Sequence, residues 1–245
     1  MRAYRALTTA MLKSQFREPV GFFFLIIFSP ALLLFLGLIF GNDPTPEFGG
    51  RGPIDNMAPG IMVMSILIIG ATVLPQAQAL LRTTGALTRL KMTPLKPSTY
   101  LASDMTVHFV SGVIGPVLTL LVALLVFGVD APHSLLGLAG AIALAMVTML
   151  AVGYALSAVM PSPGAATGLG NMLMILLMLT SGAFIPVAAL SDTVQRLFEF
   201  SPSYHMAGLV DAAWQGEAFS LTSVAVLLGV AAVAGLLAVL LFRRR

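Results

Sequence analysis

Hydrophobic positions gather into six long, nearly unbroken runs, at 20–40, 57–81, 105–127, 134–160, 165–184 and 221–242. A helix needs about 20 apolar residues to cross a hydrocarbon core about 30 Å thick, and each run reaches that length. None alternates with period two, which excludes transmembrane strands. The pattern predicts an all-α integral membrane protein: six transmembrane helices in a single domain over residues 1–245. The first run is too long for the apolar core of a signal peptide, and no small-x-small cleavage site follows it. It reads as a retained anchor.

Three segments between or before the runs carry patterns of their own. In residues 1–18, Arg2, Arg5, Thr9, Lys13 and Arg17 fall three or four apart on one helical face, with Tyr4, Leu7 and Met11 on another. That spacing predicts an interfacial helix with its cations toward anionic headgroups, ended by Pro19. In residues 82–96, Leu87 and Leu90 interleave with Arg89 and Lys91 at near-helical spacing, and Thr93-Pro94 closes the run. A short helix is expected there. Residues 185–216 are too apolar for a plain loop, yet Asp192, Arg196, Glu199, Pro202 and Asp211 interrupt them too often for a crossing. Ser191 is placed to cap a short helix bearing Val194, Leu197 and Phe198 on one face, and Ser201-Pro202 turns into a second apolar stretch at 206–214. These two short helices form a re-entrant hairpin, with Tyr204 and Trp214 near the interface.

Composition agrees: 58% of residues are hydrophobic, 9% are charged, and mean hydropathy is +0.97. Soluble domains are about 25% charged, so no water-facing surface can be built from this chain. The net charge of +3 matters less than its placement. Eleven of the 13 basic residues lie before the first span, between the second and third, or after the sixth; Arg51 and Arg196 are the exceptions. Eight of the ten acids lie on the opposite side. The positive-inside rule then puts both termini in the cytoplasm, the 82–96 loop with them, and the hairpin outside the cell membrane. So sparse a charge makes nucleic acid an improbable partner. There are no cysteines, hence no disulfides, thiolate metal sites or cysteine nucleophiles.

The chemistry that is absent narrows the function. No charged residue stands deep in a span; the nearest are Asp104 and His108 at the start of the third. Asp104 reads as a helix-start residue favoured by the helix dipole, and His108 as a hydrogen-bonded interface residue. His133 and His205 form no metal or triad spacing with a carboxylate. No phosphate loop occurs. A carrier working alone usually keeps ionisable groups at the midplane, and a lipid-modifying enzyme needs a clustered acid, base or metal. Neither pattern is present, so a transporter of this build must take its energy from another subunit.

Two stretches resemble the type-2 permeases of ATP-binding-cassette (ABC) exporters, of the small six-span drug- and lipid-export kind. The loop RTTGALTRLKMTPL resembles that family's cytoplasmic loop through Arg82, Gly85, Leu87, Thr93 and Pro94. LTSGAFIP followed by FSPSYHM resembles its fifth-span exit and re-entrant pair through Ser181, Gly182, Pro186, Pro202 and Tyr204. Order and spacing agree over essentially the whole chain. Thr88 stands where many members have a Glu, which leaves any contact through that carboxylate open.

The resemblance implies that two permeases, identical or homologous, surround a central path, each docked on a cytosolic ATPase that holds ATP and Mg. This chain would carry no cofactor or metal and no catalytic residue. Arg82, Gly85, Leu87, Arg89, Leu90, Thr93 and Pro94 would form the ATPase-coupling segment. Ser181, Gly182, Pro186, Pro202 and Tyr204 would form the outer gate. Neutral spans with Met62, Met64, Met172, Met174 and Met178 suit a hydrophobic or amphipathic cargo, though methionine is also ordinary membrane filler. Gly37/Gly41, Ser111/Gly115 and Gly164/Gly168 mark close helix approaches, within a subunit or between two. Pro75 is expected to kink the second span near Gln76 and Gln78.

Overall fold

The computed structural model describes residues 2–17, 19–44, 50–92, 95–183 and 190–243, and these are helical throughout apart from turns and short connections. Helix α1 is Arg2–Phe16. Helix α2 runs over 19–40 and contains a π-turn at Phe23–Ile27. Helix α3 is Pro53–Thr83, again with a π-turn, at Ile69–Val73. Then follow α4 (Ala86–Lys91), α5 (Pro97–Val126), α6 (Leu135–Val159), α7 (Pro163–Leu179), α8 (Asp192–Phe198), α9 (Pro202–Gln215) and α10 (Leu221–Arg243).

Five helices are long and apolar enough to cross a membrane, at Phe23–Phe40, Pro53–Thr83, Pro97–Val126, Leu135–Val159 and Leu221–Leu241. The fifth expected span appears as α7, at 17 residues, which reaches roughly 26 Å at 1.5 Å per residue. The chain is thus an all-α, multi-pass membrane protein, with five helices of spanning length and one shorter apolar helix among the described residues.

Helix α3 is the axis. It packs against α2, α5, α6, α7 and α9, and 89% of its most apolar window is buried inside the protein. For α10, which leans mainly on α6, the figure is 17%. Asn42 starts the axis: its Oδ1 accepts from the backbone N–H groups of Ile54 and Asp55 at 3.1 and 3.3 Å, and Pro53 follows at the first helical position. Three glycines let the axis sit close to its neighbours at the π-turn. A Cβ on Gly70 would stand 2.5 Å from the Met149 carbonyl oxygen, one on Gly153 2.5 Å from the Gly70 carbonyl, and one on Gly170 would overlap the Ala71 carbonyl. The π-turn lies just before Pro75. There Leu74 N–H bonds to Ile69 C=O five residues back rather than four, and Pro75 enters the helix immediately after this wider turn.

Helix α1 lies along α5. Tyr4 Oη and Thr106 Oγ1 are 2.8 Å apart, and Ser111 Oγ donates to Gln15 Oε1 at 3.1 Å. Tyr4, Leu7, Thr8 and Met11 face the protein, while Arg2, Arg5, Thr9, Lys13 and Arg17 are exposed. The amphipathic division expected from the spacing is therefore present, with α5 taking part of the apolar face. The small-residue pairs also separate. Gly37 abuts Phe127 and Gly115 abuts Ser65 inside the subunit, whereas Gly164 and Gly168 have open space around them.

Candidate functional site

One end of the bundle carries α1, α4 and the start of α5, and with them most of the cations; it is called here the basic end. The opposite, acidic end carries α8 and α9.

At the basic end the axis stops at Thr83, and Gly85 turns the chain with φ +69°, a left-handed conformation that disfavours any side chain. Gly85 C=O then accepts from Arg89 N–H at 3.0 Å, which starts α4. The short helix expected in the 82–96 loop thus exists, at Ala86–Lys91. Within it Leu87 is half-buried, and Thr88 and Arg89 are exposed. Leu90 belongs to the helix, while Thr93 and Pro94 lie outside the described residues.

Arg82, grouped with these residues on sequence, points back into the bundle. Its guanidinium donates to the Ser157 carbonyl and, at 3.2 Å, to the Met160 carbonyl. Those are last-turn acceptors of α6, where helix carbonyls lack partners and the dipole is negative. Arg82 therefore ties the end of α3 to the end of α6.

One turn further in lies a polar cluster that sequence reasoning missed. Asp104 was expected at the helix start, but α5 begins at Pro97 and carries Asp104 two turns inward, 1% exposed. Tyr154 Oη of α6 donates to Asp104 Oδ2 at 2.5 Å, and Gln78 Nε2 of α3 donates to the same oxygen at 2.7 Å. Tyr100 Oη donates to Gln78 Oε1 at 3.3 Å. His108 Nδ1 donates to the Asp104 carbonyl at 2.9 Å and stands 3.7 Å from Asp104 Oδ1. The signal was available in principle: an Asp and a His four residues apart beside an apolar run, with a Tyr near the end of the next span.

At the acidic end the two quoted stretches come together. Thr180 Oγ1 lies 2.5 Å from Ser201 Oγ and 2.8 Å from Ser203 Oγ, and Ser203 Oγ donates to the Leu177 carbonyl at 2.6 Å. Ser181 is buried and donates to the Met178 carbonyl at 2.7 Å, and Gly182 follows with positive φ. Pro202 opens α9, and the half-buried Tyr204 ring lies edge-on to His205. Pro186 lies outside the described residues. Helix α9 packs between α3, α6 and α10, with His205 bonded to Ser223 at 3.0 Å and to the Glu199 carbonyl at 2.8 Å. Trp214 Nε1 donates to the Asp130 carbonyl at 2.8 Å. Helix α8 differs from expectation. Ser191 occupies the cap position without a side-chain bond, and Leu197 is 63% exposed while Val194 and Phe198 turn inward. None of the seven residues of α8 is fully buried.

Between the two ends, α3 and α7 present an uncharged polar strip on the outer surface of the bundle. Thr72 Oγ1 donates to Asn171 Oδ1 at 3.3 Å, and Asn171 and Gln76 are exposed. Met172, Gly164 and Gly168 continue this surface on α7. Among the described residues no group of three or more His, Cys, Asp or Glu side chains could hold a metal ion. No curated protein matches the chain. A family model, that of the ABC-2 type transporter, matches residues 2–214.

Proposed function

The chain belongs to the ABC-2 type transporter family, as a membrane permease subunit, and from that premise we propose that it exports a hydrophobic or amphipathic molecule, drug-like or lipid-like, using ATP hydrolysed by a separate cytosolic ATPase. The observation that carries this reading is the strip of Thr72, Gln76 and Asn171 on the outer surface of two apolar helices. Exposed amides are costly in hydrocarbon. A second permease copy, or a homologue, covers this face, and the two strips enclose a path. Amide groups beside Met172 and flanking leucines bind a cargo that is largely apolar with a few hydrogen-bonding groups.

The remaining parts follow. All six apolar helices cross the cell membrane, with α7 as the short fifth span, and the basic end faces the cytoplasm. There α4 docks on an ATPase, one per permease, which holds ATP and Mg. Export as the direction rests on the likeness of 82–94 and 179–186 to exporter permeases. Helix α1 rests on anionic lipid headgroups through Arg2, Arg5, Lys13 and Arg17.

The test is to co-express the chain with its neighbouring ATPases and reconstitute what co-purifies. A cassette ATPase should bind, and a fluorescent amphipath should leave in an ATP-dependent manner. Gln76→Leu with Asn171→Leu should slow export about tenfold, the loss of one or two polar contacts, without releasing the ATPase. Proton-driven transport by the isolated chain, through Asp104, would overturn the proposal.

A further inference from the structure

Three membrane helices meet at one oxygen atom. Asp104 Oδ2, on α5, receives Tyr154 Oη from α6 and Gln78 Nε2 from α3, at 2.5 and 2.7 Å. Tyr100, also on α5, donates to the other end of the Gln78 amide and so fixes which way that amide points. Four residues beyond Gln78, Arg82 bonds α3 to α6 again through the Ser157 and Met160 carbonyls. All of these links fall within the last turns of α3 before Gly85 and α4. His108 bonds Asp104 on its own helix and adds no link between helices.

We propose that Asp104 is a positioning residue of energy coupling: its Oδ2 clasps the basic ends of α3, α5 and α6, so that a displacement of α4 moves the three helices as one body. The proposal rests on the reading of the chain as an ATP-driven permease. Helices packed through apolar side chains have no hydrophobic force between them in lipid and can slide. A buried hydrogen bond in a low dielectric is either made or broken, which makes the joint stiff. The clasp stands between α4, which an ATPase would push, and the Thr72–Gln76 strip higher on α3. Without it a push on α4 still reaches α6 through Arg82 but leaves α5 behind. The geometry also says which property of Asp104 matters. Both cross-helix donors address one oxygen, so an Asn amide oxygen in its place keeps both bonds, whereas Ala leaves two buried donors unmatched.

The experiment uses the whole complex of permease and ATPase in proteoliposomes and measures cargo exported per ATP hydrolysed. Asp104→Ala should lower that ratio about tenfold while ATP hydrolysis by the assembled complex persists. Asp104→Asn should restore at least half of the wild-type ratio. Tyr154→Phe, which deletes one donor and keeps the fold, should lower it about threefold. Because the chain has no cysteines, spin labels at the exposed positions Thr84→Cys and Ser98→Cys, at the ends of α3 and α5, read the joint: one narrow distance distribution in wild type, a broadened one in Asp104→Ala. An unchanged ratio in both Asp104→Ala and Tyr154→Phe overturns the clasp. So does an Asp104→Asn as defective as Asp104→Ala, since the charge and not the joint would then be at work. If Asp104→Ala does not assemble, Tyr154→Phe alone decides. Absence of ATP-driven export in the wild-type complex is the distinct outcome that refutes the permease reading instead.

Discussion

The two ends of this protein are fastened in different ways. At the acidic end the bonds are many and spread out: Asn42 caps α3, Trp214 reaches the Asp130 carbonyl, His205 bridges Ser223 and the Glu199 carbonyl, and the hydroxyls of Thr180, Ser201 and Ser203 share one cluster. At the basic end the cross-helix bonds of α3 are made by two of its own side chains, Gln78 and Arg82, and below them α4 presents exposed Thr88 and Arg89. A distributed set of bonds holds a shape when any one is lost. A concentrated set can be moved as a unit. On the function proposed above, the basic end is the one an ATPase drives.

The largest expected effect lies at the basic end. Leu87→Asp puts a charge on the half-buried apolar side of α4 and should weaken ATPase docking roughly 30-fold, about 2 kcal/mol, in a pull-down titration, with membrane insertion unchanged. Tight docking by that variant would show that α4 is not the contact. At the acidic end Trp214→Phe removes a single donor and should cost about 1–2 kcal/mol, read as a lower melting temperature of the detergent-solubilised protein with coupling intact. A loss of coupling there would break the contrast between the ends.

Gly85→Ala is the sharper probe of the junction between α3 and α4. A Cβ there meets open space, so the cost of about 1 kcal/mol comes from the positive φ alone. It should appear as faster amide exchange in 84–91 rather than as a global change. Smallest of all is Asp211→Asn. The Arg51–Asp211 pair, 3.4 Å apart, leaves side chains 30% and 37% exposed, and a pair so wet contributes less than about 1 kcal/mol. A melting shift larger than that would mean the acidic end relies on one bond after all.

The helices themselves were legible in the sequence. The six apolar runs lie on α2, α3, α5, α6, α7 and α10, because segment hydropathy is a property of composition and survives any packing. What hydropathy does not carry is direction around the helix axis. Helix α3 is no more apolar than α10, mean hydropathy 2.2 against 2.9 in their best windows, yet one is the buried axis and the other faces outward. Arg82 illustrates the same limit. A cation at a span end satisfies the topology rule whichever way it points, and here it points to α6 carbonyls. Asp104 was misplaced because α5 begins eight residues before the apolar run does, its first turns being polar and Pro97 its true start. The bonding of Thr180 to Ser201 and Ser203 joins segments some twenty residues apart, which no local pattern of apolar positions reveals.

The π-turn at Ile69–Val73 has an evolutionary reading. Such a turn is an α-helix that has accepted one residue too many. The wider turn takes up the extra residue, so the helix beyond it keeps the facing of an uninterrupted one. Deleting Val73 would bring the Pro75 ring against a carbonyl four residues back, the clash of a proline inside a plain α-helix. A single codon thus separates a helix that admits a proline near its centre from one that must bend around it.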